Sequence, residues 1–157
     1  MLETNGHRSI GLVLVDHGSK KQAANDMLLE VAELFRRVSG YQIVEPAHME
    51  LADPTIEAAF GACVEQGAKL VIVHPYFLSP GRHSTADIPR MVASAARKHP
   101  GVEYHVTPPL GIDEKIARLI GERIDHCIQS GFVCDYCREA GGCGTVAAER
   151  ELVGAAA

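Results

Sequence analysis

An α/β fold in which a four-stranded parallel sheet is wound on both sides is predicted by three features of the 157-residue sequence. Apolar runs suited to strands alternate with segments of helical periodicity. The run Leu70 to Leu78 is almost continuously apolar, as a central strand covered on both faces is. Between the elements stands the punctuation of strand–loop–helix units, which specifies a parallel sheet with right-handed crossovers. The simplest strand order is 2-1-3-4. Strands 1 and 3 are then neighbours at a switch point, where their loops diverge to opposite faces and leave a crevice.

The first strand is Leu12-Val13-Leu14-Val15, which breaks into Asp16-His17-Gly18-Ser19-Lys20-Lys21. Ser19 with Gln22 three residues on reads as a capping box, and Ala24, Met27, Leu28, Val31, Leu34, Phe35 and Val38 recur at helical spacing behind it. Lys20 and Lys21 then fall in the first helical turn, where the helix dipole disfavours cations by roughly 0.3–1 kcal/mol each. A basic pair there reads either as facing an anion or as solvated lysines.

Tyr41 to Leu51 is the second strand, interrupted by Pro46 and therefore placed at a sheet edge. It delivers His48-Met49-Glu50-Leu51 to its carboxyl end. Asp53-Pro54 caps and starts the next helix, whose buried stripe is Ile56, Ala59, Phe60 and Cys63 and which Gly67 stops. Cys63 reads as a small core residue. His74, inside the third strand, reads as a satisfied histidine of the core. The loop Ser79 to Ser84 leads to a helix starting between Ser84 and Asp87, with Ile88, Met91, Val92, Ala95 and Ala96 as its stripe and Pro100-Gly101 beyond its end. Val102 to Val106 is the fourth strand. A last helix runs from about Asp113 to Ile128, with Ile116, Leu119, Ile120, Ile124 and Ile128 on one face. One domain over 10–128 is expected, and 129–157 is a cysteine-containing tail rather than an independent domain.

A formal net charge of −5 argues against nucleic acid as a partner, because phosphate contacts need a clustered basic surface. No apolar run reaches the ~20 residues of a membrane span, and no signal peptide opens the chain, so a soluble protein is expected. Of the five cysteines, Cys127, Cys134, Cys137 and Cys143 crowd the end of the chain. Such clustering points to a metal or cluster site in a reducing compartment rather than to a disulfide framework.

His17, Glu50 and His83 converge on one end of the predicted sheet from three loops. Two imidazoles and a carboxylate can hold a divalent metal with positions left open, or move protons near neutral pH. Lys20, Lys21, Arg82 and Arg90, with two helix N-termini, surround the same crevice and imply an anionic substrate. Phosphoryl transfer through a phosphohistidine fits less well, because Asp16 stands where the phosphate-binding arginine before the histidine would be. A non-catalytic iron or iron–sulfur carrier is a further reading.

His17-Gly18-Ser19, Met49-Glu50-Leu51-Ala52-Asp53-Pro54, Pro75-Tyr76-Phe77-Leu78, Gly81-Arg82-His83 with Asp87-Ile88-Pro89, and Pro109-Leu110-Gly111 together resemble the short form of the sirohydrochlorin chelatases. The resemblance covers about Gly11 to Cys127. It implies the flavodoxin-like chelatase fold, a homodimer, and insertion of Fe²⁺ into sirohydrochlorin to give sirohaem. It also implies that His17 and His83 are the metal-binding and catalytic histidines, with Glu50 as their acidic partner. Ser19, Lys20, Lys21 and Arg82 are expected to bind the tetrapyrrole's carboxylates. Cobalt or nickel insertion stays open, since the same ligands accept several first-row ions.

The spacing Cys127-x6-Cys134-x2-Cys137-x5-Cys143 resembles the tail of the plant plastid form, which implies a [2Fe-2S] cluster and a mature chloroplast-stroma protein. Without that likeness the compartment would read as cytoplasmic. Four thiolates by themselves suit such a cluster or a structural zinc, and Cys127 also continues the last helix's apolar stripe.

Overall fold

The computed structural model describes residues 9–131. Four parallel strands, β1 (Ile10–Asp16), β2 (Ile43–His48), β3 (Leu70–Pro75) and β4 (Glu103–Val106), form one sheet in the order β2-β1-β3-β4. The helices are α1 (Gln22–Ser39), α2 (Ile56–Glu65), α3 (Ile88–Ala96) and α4 (Glu114–Gln129). Both the predicted class and the predicted strand order are observed. Among the described residues no helix is long and apolar enough to cross a membrane.

Successive residues of β1 point to opposite faces, and both faces are covered. Val13 and Val15 pack with Ile56, Phe60, Cys63, Ile88 and Val92 beneath α2 and α3. Leu12 and Leu14 pack with Val44 of β2 and with Leu28 and Ala32 of α1. Thus the chain leaves β1 toward one face and β3 toward the other, which opens the crevice between the two strand ends. Gly11 is where β1 passes closest to α2: a Cβ there would stand 2.7 Å from that of Cys63. Pro46 lies in an edge strand, where its missing N–H breaks no second ladder. Cys63 is fully buried, and burial with the nearby Glu45 charge pushes its thiol up to about 12.

Several boundaries differ from the sequence expectation, each for a local reason. No capping box forms at α1: the helix begins at Gln22 with Lys21 as its N-cap residue, and the Ser19 hydroxyl accepts from Lys21 N–H instead. Lys20 and Lys21 therefore precede the helix rather than occupy its first turn. The stripe of α1 is only partly covered, with Leu28 buried but Met27, Leu34 and Val38 exposed. Strand β2 stops at His48, and Leu51 adopts a left-handed φ of 67° in the loop that follows. Thr55, not Asp53, caps α2, its hydroxyl accepting from Ala58 N–H at 3.2 Å, so Pro54 lies before the helix. Strand β3 ends at Pro75, leaving Tyr76 to Leu78 in the loop. His74 is satisfied as expected, its Nδ1 lying 2.6 Å from Thr107 Oγ1 at the end of β4, and burial lowers its pKa.

The chain divides into two compact units between Gly111 and Ile112. In the second unit, Asp113 caps α4 by accepting from Lys115 N–H at 2.8 Å. The predicted apolar stripe is present on α4, but Leu119, Ile120, Ile124 and Ile128 are all exposed.

Candidate functional site

The site is built where β1 and β2 end side by side. Asp16 and His48 are register partners, and the ladder continues past them through Met49 N–H to Asp16 O at 2.8 Å and Glu50 N–H to His17 O at 3.1 Å. The loop leaving β1 is held at three points. Asp16 Oδ1 accepts Gly18 N–H at 2.9 Å; Asn25 Oδ1 accepts Ser19 N–H at 2.9 Å; and Asn25 Nδ2 donates to Ser19 O at 2.8 Å. Gly18 has a φ of +84°, and a Cβ at this position would lie 1.9 Å from the Glu50 carbonyl oxygen. Only glycine fits there.

Three of the predicted side chains meet. His17 Nε2 lies 2.8 Å from Glu50 Oε1, and the rings of His17 and His83 stand edge to face with centroids 5.2 Å apart. Two imidazoles bound to one ion through bonds of about 2.0–2.1 Å in tetrahedral geometry place their centroids about 5 Å apart. The separation therefore suits a shared ion. His83 opens a wide helical turn, His83–Asp87, that precedes α3 and puts the ring at the crevice's rim.

Each ring is anchored through Nδ1. That of His17 faces Gly18 O at 3.1 Å, and that of His83 faces Asp87 Oδ2 at 3.0 Å. A carbonyl or carboxylate oxygen accepts, so both Nδ1 atoms carry the proton and both Nε2 atoms are left for a ligand. His17 Nε2 and Glu50 Oε1 then hold one proton between them, and a cation arriving at Nε2 must displace it.

Asp87 is the acidic residue that the sequence reading quoted within a motif but gave no role. Besides His83 it takes Arg90 Nη2 on Oδ1 at 2.5 Å, with Arg82 Nε at 3.9 Å from Oδ2. Asn25 and the fully buried His48 were also passed over. Asn25 stands outside the apolar stripe read for α1, and His48 reads in the sequence only as one of the residues at the end of β2.

A cleft of about 440 Å³ adjoins these groups, lined by Met49, Glu50, His83, Asp87, Arg90 and Met91. Ser19, Lys20, Lys21 and Arg82 are not among its lining residues, and Lys20, Lys21 and Arg82 are exposed to solvent. Among the described residues no group of three or more His, Cys, Asp or Glu side chains closes into a metal cage. Of the tail cysteines only Cys127 is described: it is half-buried on α4, its carbonyl accepting from Ser130 Oγ at 3.0 Å. Cys134, Cys137 and Cys143 lie outside the described residues.

The profile of the CbiX family matches residues 11–127. The chain is 49% identical over 118 residues to the chloroplastic sirohydrochlorin ferrochelatase of Arabidopsis thaliana, covering 75% of this chain and 52% of that protein. It is 42% identical over 136 residues to the sirohydrochlorin cobaltochelatase of Methanocaldococcus jannaschii, covering 71% of this chain and 95% of that one. Among solved structures, the sirohydrochlorin chelatase SirB of Bacillus subtilis in complex with cobalt superposes with a TM-score of 0.71 at 31% identity, covering 75% of this chain and 50% of SirB. This chain thus spans about half the length of the plant relative and of SirB.

Proposed function

This chain belongs to the CbiX family, and from that premise we propose that it inserts Fe²⁺ into sirohydrochlorin to give sirohaem. The observation that carries the reading is the His17–His83 pair, with both Nε2 atoms free of backbone partners and Glu50 against one of them. Insertion exchanges two pyrrole protons for the metal ion, and no electrons move. The ion must therefore be held by few ligands, beside a base that can accept a proton. His17 and His83 hold Fe²⁺, the substrate ion, through Nε2. Its arrival releases the proton shared with Glu50 to solvent, and the carboxylate can then accept one pyrrole proton from the macrocycle while the second passes to water. An open two-histidine site suits an ion that has to leave, whereas a closed cage would retain it.

Ser19, Lys20, Lys21 and Arg82 are proposed to hold the substrate's carboxylates at the margin of the cleft. Their replacement should raise KM and flatten its dependence on salt, since screening acts on exposed charges. An unchanged KM at every ionic strength would remove them from the site.

The function is tested by mixing the protein with sirohydrochlorin and Fe²⁺ without air and following conversion of the free tetrapyrrole spectrum to that of sirohaem. The wild type should turn over, and His17→Ala and His83→Ala should each lose most of the rate. Wild-type protein that converts nothing with any metal would defeat the proposal. Cobalt insertion is a second reading, favoured by the near full-length match to a cobaltochelatase, and the same assay with Co²⁺ separates the two.

The tail is proposed to hold a [2Fe-2S] cluster through Cys127, Cys134, Cys137 and Cys143. The donor set fits chemically, since four thiolates are what such a cluster takes. Iron and acid-labile sulfide should be found in protein purified without air and vanish in Cys134→Ser. One zinc per chain with no sulfide would overturn the assignment. By likeness to the chloroplastic relative we also propose a plastid location, which fractionation of plant cells expressing the tagged protein would test, recovery outside plastids counting against it. A homodimer completes the proposal.

A further inference from the structure

We infer that Asp16 and His48 form a positioning pair that fixes His17 and Glu50, an inference that rests on the function proposed above for that site. His48 has no solvent exposure, and its Nδ1 lies 2.6 Å from Asp16 Oδ1. The same oxygen accepts Gly18 N–H at 2.9 Å, one residue beyond His17. On the other strand His48 is two residues before Glu50, and its backbone N–H is fixed to Pro54 O at 2.8 Å. One carboxylate oxygen therefore ties the loop that carries His17 to the strand end that carries Glu50, across 32 residues of chain. The two side chains so placed meet at 2.8 Å.

Burial for packing alone does not explain the imidazole. Its Nε2 is buried and has no hydrogen-bond partner among the described residues, a defect that an apolar side chain of similar volume would remove. The ring's polar contribution is made entirely at Nδ1, toward Asp16. His48 is closed off from solvent and Asp16 Oδ1 is taken up by His48 and Gly18 N–H, so neither is placed as a catalytic residue. Their part is to hold the residues that are.

The test compares His48→Leu, His48→Asn and Asp16→Ala with wild type, by calorimetric titration with Co²⁺ alone and by insertion rate, with thermal melting as a control. Leucine fills the space without a donor, whereas the asparagine amide can still donate to Asp16. Folded His48→Leu is expected to bind Co²⁺ about 10–100-fold more weakly, as outer-shell substitutions do, and His48→Asn to recover most of that loss. Asp16→Ala, at a partly exposed position, provides the same readout should the leucine variant fail to fold. Because the two residues act through one bond, the double variant Asp16→Ala/His48→Leu should lose no more than the worse single variant. Wild-type Co²⁺ affinity in either single variant, an asparagine variant no better than leucine, or additive losses in the double variant would overturn the inference. Since the Co²⁺ titration needs no tetrapyrrole, its outcome stays readable even if wild type proves to insert no metal.

Discussion

Glu50 shows how one proton couples the two halves of the site. His17 donates from Nδ1 to the Gly18 carbonyl, so its contact with Glu50 through Nε2 requires a proton between nitrogen and oxygen. Glu50→Gln keeps the shape, but its amide N–H can donate permanently to Nε2 and compete with the incoming ion. Metal affinity is predicted to fall by about tenfold, with a smaller effect at saturating metal. Equal rates for the two proteins at limiting Fe²⁺ would remove Glu50 from the site. His17, Glu50 and His83 were legible because ionisable residues at strand ends stand out against apolar runs. Asp87 and His48 were not, because a side chain that acts on another side chain leaves no spacing signal of its own. Register alone pairs His48 with Asp16, and register is known only once the strands are aligned.

At the scale of the element, the loop from Asp16 to Ser19 is a rigid support. Gly18 combines a left-handed φ with a backbone approach that leaves no room for a methyl group. Gly18→Ala is predicted to destabilise the fold by about 1–3 kcal/mol and to move His17 away from Glu50, abolishing turnover. Denaturant unfolding and the insertion assay check the two effects, and wild-type values in both would contradict the account. The sequence places this glycine in the stretch where the first strand breaks, but the crowding comes from the Glu50 carbonyl, 32 residues away, and local signals are silent about it. Near the carboxyl end of β3, burial lowers the pKa of His74 from 6.5. The unfolded chain binds that proton more readily, so this contribution to stability is complete above about pH 6.5 and is lost as pH falls through the lower folded value. His74→Gln, which can still bond Thr107, should flatten the pH dependence of unfolding below 6.5; an unchanged slope would assign that dependence to other groups.

For the whole molecule, the strand order followed from alternation and from Pro46 marking an edge, whereas α4, in the second unit, is a different case. Its periodicity marks one apolar face correctly and cannot say what covers it. Leu119, Ile120, Ile124 and Ile128 remain 47, 55, 54 and 56% exposed, and Ile112 is fully exposed. The chain also spans about half of relatives at 52 and 50% of their lengths. The exposed face of α4 favours a second copy of this chain as its cover. A two-fold contact uses the same patch on each partner, so eight half-exposed aliphatic side chains become available. Covering them contributes about 6–12 kcal/mol at the usual 1.5–3 for a whole side chain. Association costs about 4–15 kcal/mol in lost freedom. The two ranges overlap, so the dimer is predicted to be concentration-dependent. Sedimentation of wild type should show monomer giving way to dimer across the micromolar range, and Ile120→Glu/Ile124→Glu should remain monomeric with its melting temperature little changed. If the dimer is the active form, the insertion rate of wild type will rise faster than linearly with protein concentration over the same range. A wild type that sediments as monomer throughout, with a rate strictly proportional to concentration, would show that one chain suffices for the reaction.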